Sequence, residues 1–278
     1  MAKKHSGKSG IVEGHKARKR FGQNFLDDPH VIANIIHAIS PEPDDLLVEI
    51  GPGLGAITGE LIEQLNALHV VELDRNLIPF LIAKFEHTKK LTIHQADALS
   101  FDFSQLVAGT DKQLRVVGNL PYNISTPLIF HLLEQADNIQ DMHFMLQKEV
   151  VDRLAAGVGD KAYGRLGLMV QYHCQVNPLF EVPPESFNPP PKVDSAIVRL
   201  TPHKEKPFIT RQPALLQKLV TEAFSMRRKT LRNALKNSVT VEQMEAVGIN
   251  PGDRAEKVSL QSFVALTEEL INNPADDK

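Results

Sequence analysis

"LLVEIGPGLGAIT", residues 46–58, decides how the chain is read. Leu46–Ile50 is a short, nearly continuous apolar run, the pattern of a strand buried on both faces. Gly51, Gly53 and Gly55 follow at alternate positions, with Pro52 stiffening the turn. Ile57, Leu61, Ile62 and Leu65 then recur at helical spacing. The segment predicts strand, glycine turn, helix, because glycines let a backbone turn tightly and approach a ligand without a side-chain clash. Glu72 lies at the end of the next apolar run, "LHVVEL" (68–73), about 20 residues on, where an acid can hold ribose hydroxyls. A tight strand–helix turn with no ligand is the plain alternative, and three glycines with a correctly placed Glu72 weigh against it.

The same alternation extends outward. Asp28-Pro29 reads as an N-cap with proline at the first helical position, followed by Val31, Ile32, Ile35, Ile36 and Ile39 at helical spacing. "LTIHQAD" (91–97), "LRVVGNL" (114–120) and "DMHFMLQ" (141–147) are further strands. "RNLIPFLIAKF" is helical, with Pro79 marking a kink or a late start, and "TPLIFHLLEQ" is a helix with Thr126 as cap and Pro127 at its first position. Apolar strands alternating with helices predict an α/β fold, a mostly parallel sheet covered by helices. After residue 147 come two helical stretches, then the strands "VNPLFEV" and "SAIVRLTP" joined by the proline-dense "PPESFNPPPKVD". That connection is too rigid for a linker and too long for a tight turn. From about residue 205 the pattern is helical only. The expected division is a Rossmann-like domain over 1–204, carrying a basic N-terminal arm, and a smaller all-α domain over 205–278.

Composition narrows the function classes. The 278 residues are 42% hydrophobic and 23% charged, as in soluble globular proteins. No apolar run approaches the ~20 residues of a membrane span, and no apolar segment follows the basic "MAKKHSGKSG" as a secretion signal requires. A single cysteine, Cys174, excludes an intramolecular disulfide and a multi-cysteine metal site. The histidines show no metal-ligand spacing, and His131, His143 and Cys174 read as packed residues, so no metal is expected. A cytoplasmic, monomeric protein is the expectation. The net charge of −3 conceals two basic blocks, one in residues 1–20 (Lys16, Arg18, Lys19 and Arg20 among them) and one in 224–236 (Arg227, Arg228, Lys229, Arg232, Lys236). Basic blocks on an acidic body suggest a polyanionic partner; a solvated tail and an ordinary charged helix face are the bland alternative.

Which cofactor the turn holds is open on spacing alone. Gly51-x-Gly53-x-x-Ala56 also satisfies the dinucleotide fingerprint, so an NAD-dependent oxidoreductase is a rival. Glu49, just before the turn, would repel a pyrophosphate and suits the sulfonium or amino group of S-adenosylmethionine. Asp97, at the end of the third strand, can accept a hydrogen bond from an adenine amine. Glu49, Glu72, Asp97 and Asn119 share the strand-end position where open α/β sheets bind ligands.

"VVGNLPYNIST" (116–126) then supplies a chemistry. An adenine amine is a poor nucleophile because its lone pair is delocalised into the ring. Two acceptors aimed at its protons favour a pyramidal nitrogen: the Asn119 side-chain oxygen, and a backbone carbonyl freed where Pro121 removes a donor. Tyr122 offers a ring for the base to stack on, worth ~1–3 kcal/mol.

With these motifs the chain resembles the ribosomal RNA adenine N6,N6-dimethyltransferases, closest to their bacterial small-subunit branch. The resemblance runs from "GHKARKRFGQNFL" to the C-terminal helices and includes "VEIGPGLGAIT", "VVELDR", "GNLPYNISTPLIFHLL", "FMLQKEVVDRL", "AYGRL", "FNPPPKVDSAIVRL" and "RRKTLRNAL". It implies a class I S-adenosylmethionine-dependent methyltransferase that dimethylates two adjacent adenosines in the 3′-terminal hairpin loop of 16S rRNA in the assembling 30S subunit. By the same resemblance Gln23, Asn24 and Leu26 would contact the methionine end of the cofactor, beside the turn of Gly51, Gly53 and Gly55. Glu72 would hold the ribose and Asp97 the adenine amine. Asn119 would touch the cofactor edge while Leu120 or Pro121 presents a carbonyl to the target amine. Tyr122 would stack on one face of the target base and Phe187 would close the other. A non-catalytic RNA-binding assembly factor and a DNA adenine methyltransferase are the remaining alternatives.

Overall fold

The computed structural model describes residues 24–226 and 228–274, together with the backbone of Ile11–Val12 and His15–Lys16. In chain order the elements are β1 (Ile11–Val12), β2 (His15–Lys16), β3 (Phe25–Leu26), α1 (Pro29–Ile39), β4 (Leu46–Ile50), α2 (Ala56–Gln64), β5 (Leu68–Glu72), α3 (Ile78–Phe85), β6 (Leu91–Gln95), α4 (Ser104–Val107), β7 (Leu114–Asn119), α5 (Ser125–Leu133) and β8 (Ile139–Gln147). There follow α6 (Lys148–Ala155), α7 (Arg165–His173), β9 (Cys174–Val182), β10 (Phe187–Asn188), β11 (Ser195–Pro202), α8 (Pro213–Ser225), α9 (Leu231–Ala234), α10 (Val241–Ala246) and α11 (Leu260–Asn272).

A seven-stranded sheet in the order β6-β5-β4-β7-β8-β11-β9 forms the frame. β6, β5, β4, β7 and β8 are parallel neighbours, and β11 joins β8 antiparallel, with Ser195 opposite Gln147 and Ala196 opposite Leu146. The central strands are buried on both faces, as their unbroken apolar text requires: Leu47, Val48, Val70, Val116 and Phe144 have no accessible surface. Chain order reverses at β4, whose neighbours are β5 on one side and β7 on the other. That is the switch point at which open sheets leave a crevice beyond the strand ends.

Local signals account for some helix starts. Asp28 caps α1 by accepting from the N–H groups of His30 and Val31, with Pro29 in the first turn. α3 begins late, with Pro79 in its first turn. α5 begins earlier than its Thr-Pro pair suggests: Ser125 opens the helix, Ile124 is the cap, and Thr126 and Pro127 lie inside the first turn. The Ser125 hydroxyl instead bonds back to the Tyr122 carbonyl at 3.2 Å.

The end of α1 is tied to the sheet by one buried guanidinium. Arg115, on β7 and 6% exposed, donates to the carbonyls of Ile39 (2.6 Å) and Ser40 (3.2 Å), to Asp45 (2.7 Å) and to both carboxylate oxygens of Asp141 (3.0 and 2.9 Å). It satisfies otherwise unpaired carbonyls of the helix C-terminus and neutralises two acids at once.

Contacts divide the chain into two units, 1–151 with 177–202, and 152–176 with 203–278. A single boundary near residue 205 does not describe this: residues 152–176 leave the first unit and join the helical one before the chain returns. Within that second unit, Tyr163 donates its hydroxyl to the Val258 carbonyl at 3.1 Å and meets the Phe224 ring edge-on at 5.9 Å. The backbone N–H of Gly159 reaches the Glu256 carbonyl at 2.9 Å. α8 and α11 bury Leu216, Leu219, Val220, Phe263 and Leu266. None of the helices among the described residues is long and apolar enough to cross a membrane.

Replacing Arg115 by Met removes five hydrogen bonds and strands Asp45 and Asp141. Urea unfolding should show a loss of about 3–5 kcal/mol. A variant as stable as the parent would show that solvent can replace the clamp.

Candidate active site

The carboxyl ends of β4, β5 and β7 open into a cavity of about 510 Å3 within the first unit, a volume typical of a cofactor or ligand site. Its glycine turn has the conformation that the sequence demands. Gly51, Gly53 and Gly55 have φ of 66°, 58° and 79°, left-handed values that side chains strain to adopt. Gly51 anchors the turn by donating to the Val71 carbonyl at 2.9 Å. Gly51 and Gly53 line the cavity, whereas Gly55 does not: it starts α2, and a Cβ there would meet the Phe85 ring at 2.5 Å. Gly55 therefore serves packing, and its expected place beside a cofactor is corrected.

Two buried carboxyls face one another across the β4 and β5 ends. Glu49, 2% exposed, accepts from the Thr58 hydroxyl at 2.6 Å. Burial pushes its carboxyl up to about 7; the Thr58 bond opposes this and Glu72 adds to it. Glu72, 7% exposed, accepts from the Asp74 N–H at 2.7 Å, and burial raises it to about 6 against backbone bonds from Asp74, Gly53 and Leu73. Two acids held partly protonated in an apolar cleft are poised to ionise against a cationic ligand. Asp97 is exposed at the cavity mouth, where its carboxylate closes a turn by accepting from the Leu99 N–H at 2.9 Å.

β7 delivers the other half of the site. Gly118 cannot be replaced by a larger residue without a shift, since a Cβ would lie 2.7 Å from the Ile50 carbonyl. This close approach sets Asn119 beside the turn, its carbonyl oxygen 4.0 Å from where a Gly51 Cβ would stand. The Asn119 amide nitrogen donates to the Asn24 carbonyl at 3.2 Å, and its side-chain oxygen has no partner among the described residues. In the turn that follows, the Pro121 carbonyl accepts from the Ile124 N–H at 3.1 Å, while no donor among the described residues reaches the Leu120 carbonyl. Of the two carbonyls expected to be candidates, Leu120's thus accepts no bond among the described residues and Pro121's accepts one. The Tyr122 side chain is half-buried in the lining, and its hydroxyl lies 2.7 Å from Ser195 Oγ.

Of the other expected site residues, Asn24 and Leu26 line the cavity and Gln23 lies outside the described residues. Phe187 is not brought there. It pairs with Leu26 in the β10–β3 ladder, is 1% exposed, and packs in the core with Leu26, Ile57, Val117 and Ile197. The segment is pinned: Asp27 N–H donates to the Ser186 carbonyl at 2.9 Å, and Ser186 Oγ donates to Asp28 at 3.1 Å. This ladder turns the ring inward, so its expected role as the second face of a base-binding slot is corrected.

In the basic blocks, Arg228, Lys229 and Arg232 are exposed, around the start of α9 in the helical unit. Arg18, Lys19, Arg20 and Arg227 lie outside the described residues, as does the Lys16 side chain. Phe25, Leu73, Leu77 and Ala98 are among the further apolar residues of the lining. They were missed because a lining residue reads in sequence like any core residue. Gly118 and Thr58 were missed because a close approach and a cross-element hydrogen bond leave no local pattern. Among the described residues no three His, Cys, Asp or Glu are grouped to hold a metal.

A parallel sheet with an antiparallel strand set between two others at one side, and acids ringing a glycine turn at its switch point, define a class I methyltransferase. Comparison with known proteins narrows the class. The model of the ribosomal RNA adenine dimethylase family matches residues 14–272, so the chain belongs to that family. It is 61% identical over 267 residues to a ribosomal RNA small subunit methyltransferase A of Marinobacter nauticus, covering 95% of this chain and 96% of the relative. Among solved structures it is similar to a dimethyladenosine transferase from Plasmodium falciparum, at 27% identity and TM-score 0.75, over 89% of this chain and 98% of that one. It is likewise similar to the 23S rRNA methyltransferase ErmE, at 26% identity and TM-score 0.70, over 89% and 100%. The oxidoreductase reading finds no support in these matches.

The raised Glu49 carboxyl makes a testable claim about the ligand-free chain. Between pH 4.5 and about 7 the folded chain retains a proton that the unfolded chain has released, so Glu49 erodes stability as pH rises through that window. Glu49→Gln keeps an acceptor for Thr58 and carries no charge. The variant and parent should be equally stable at pH 4.5, and at pH 8 the variant should be more stable by ~2–3 kcal/mol. Equal urea midpoints at pH 8 would overturn the claim.

Proposed function

We propose that the chain transfers methyl groups from S-adenosylmethionine to the N6 amines of two adjacent adenosines in the 3′-terminal hairpin loop of 16S rRNA, within the assembling 30S subunit. The observation that carries the chemistry is the pair of open acceptors beyond β7, Asn119 Oδ1 and the Leu120 carbonyl, beside the Tyr122 ring and the glycine turn. The small-subunit assignment is supported by the relatives' names, and the adenine assignment by the family.

The residues present fit the cofactor. Left-handed glycines admit a close-lying ligand, Glu72 suits ribose hydroxyls, and Asp97 suits an adenine amine. Asn24, Leu26, Glu49 and the Gly51–Gly53 turn would hold the cationic methionine end. When bound, S-adenosylmethionine supplies an electrophilic methyl group carried on a sulfonium.

Everything else falls to the chain. Asn119 Oδ1 and the Leu120 carbonyl accept hydrogen bonds from the two amine N–H groups, favouring a pyramidal nitrogen whose lone pair is released from the ring. The bond from the Asn119 amide nitrogen to the Asn24 carbonyl fixes which end of the amide meets the substrate. Tyr122 holds the plane of the base, and catalysis is mainly positioning. After transfer the nitrogen gives up a proton to water. The singly methylated amine keeps one proton for an acceptor, so the same pair serves a second round. Exposed Arg228, Lys229 and Arg232, with Lys16, Arg18, Lys19, Arg20 and Arg227 of the basic blocks, supply phosphate contacts that position a splayed loop base. The protein would work in the cytoplasm as a monomer on the RNA.

Undermethylated small subunits incubated with labelled S-adenosylmethionine should gain dimethyladenosine at two adjacent positions of the 3′-terminal loop, read by mass analysis of the RNA. Asn119→Ala should lower kcat by about 10²–10³-fold, the cost of one preorganised transition-state partner, with the fold intact by circular dichroism. Label found only in DNA or in no nucleic acid would refute the assignment, and full activity in Asn119→Ala would refute the role of its side chain.

A further inference from the structure

Resting on the reading that Tyr122 stacks on the target base, we infer that Ser195 is a positioning residue for the reaction, fixing the plane of the Tyr122 ring through the hydrogen bond between their hydroxyls. Tyr122 sits inside the Pro121–Ile124 turn and is half-buried in the cavity lining. A ring so placed turns about its side-chain bonds unless its far end is held. Its hydroxyl is held, 2.7 Å from Ser195 Oγ. Ser195 has no accessible surface and opens β11, where it pairs with Gln147 at the end of β8. β8 in turn pairs with β7, with Asn119 opposite Met145. The ring that receives the base and the amide that receives its amine are therefore referenced to β11 and β7, the two strands that flank β8 in one sheet. Ser195 also ends the proline-dense connection "FNPPPKVDS", which gives that stretch a use although Phe187 itself faces the core.

Ser195 is fully buried, so loss of the Tyr122 hydroxyl would strand its own, and burial also pushes the Tyr122 phenol above its usual range. That gives a coupling signature. Ser195→Ala frees the ring, and kcat on undermethylated small subunits should fall about 10- to 100-fold, because misplacement by an ångström is costly to a positioned reaction. KM for the subunit should change less than about twofold, since phosphate contacts elsewhere set docking. Tyr122→Phe keeps the ring, loses the same bond, and should show the same kcat defect. The double variant should be no worse than either single one, whereas independent effects would multiply. Ser195→Thr retains the hydroxyl and should recover most of the rate. Calorimetric binding of S-adenosylmethionine, unchanged in every variant, separates the effect from misfolding.

Wild-type kcat in Ser195→Ala, or multiplying defects in the double variant, would overturn the inference. So would a loss of cofactor binding that tracks the loss of rate. Tyr122→Ala distinguishes the two levels: if it too methylates normally, the stacking reading fails, and if it is inactive while Ser195→Ala is normal, only the role of Ser195 fails.

Discussion

The site depends on the approach of two backbones at the carboxyl ends of β4 and β7. Gly118 lies so close to the Ile50 carbonyl that a single Cβ would be at 2.7 Å. That contact brings the strand carrying Asn119 against the strand that enters the glycine turn. Asn119 then stands beside Gly51, and two residues 68 positions apart in the chain share one cavity. The approach is possible because β4 and β7 run parallel and in constant register, from Leu46 opposite Leu114 to Glu49 opposite Val117, without a bulge.

Around that contact the chain accepts a cost. Glu49 and Glu72 are buried with carboxyls raised to about 7 and about 6, a drain on stability once pH rises above those values. The opposite end of the sheet is arranged otherwise. There Arg115 meets two acids and two helix carbonyls, so that every buried charge has a partner. The same sheet is thus held by satisfied charges at one end and carries buried, raised carboxyls at the other.

The fold was legible because its strands are apolar on both faces and separated by helices of plain periodicity; β4 and β11 have the expected limits to the residue. What went astray has specific causes. Thr126-Pro127 looks like a helix start, but the turn of Leu120–Ile124 already directs the chain into α5, and the helix begins at Ser125. Residues 152–176 hold the end of α6 and all of α7, the two helices expected there, with a loop between them, but an apolar helix face does not say which neighbour covers it, and here the neighbours lie in the second unit. Phe187 reads as an aromatic beside a rigid loop; pairing with Leu26 turns it inward, and a one-residue register decides which side a strand residue faces.

The sequence by itself determined the α/β class, the glycine turn, the acids at the strand ends and the amide–proline–tyrosine turn, because each rests on local backbone and side-chain chemistry. Tertiary structure alone decided which groups remain open for a substrate. Pro121's carbonyl is occupied and Leu120's is not, Asn119 is oriented by Asn24, Tyr122 is held by Ser195, and Gly55 packs against Phe85 rather than lining the cavity. Those assignments depend on partners distant in the chain, and a hydrogen bond between distant residues leaves no periodicity to read.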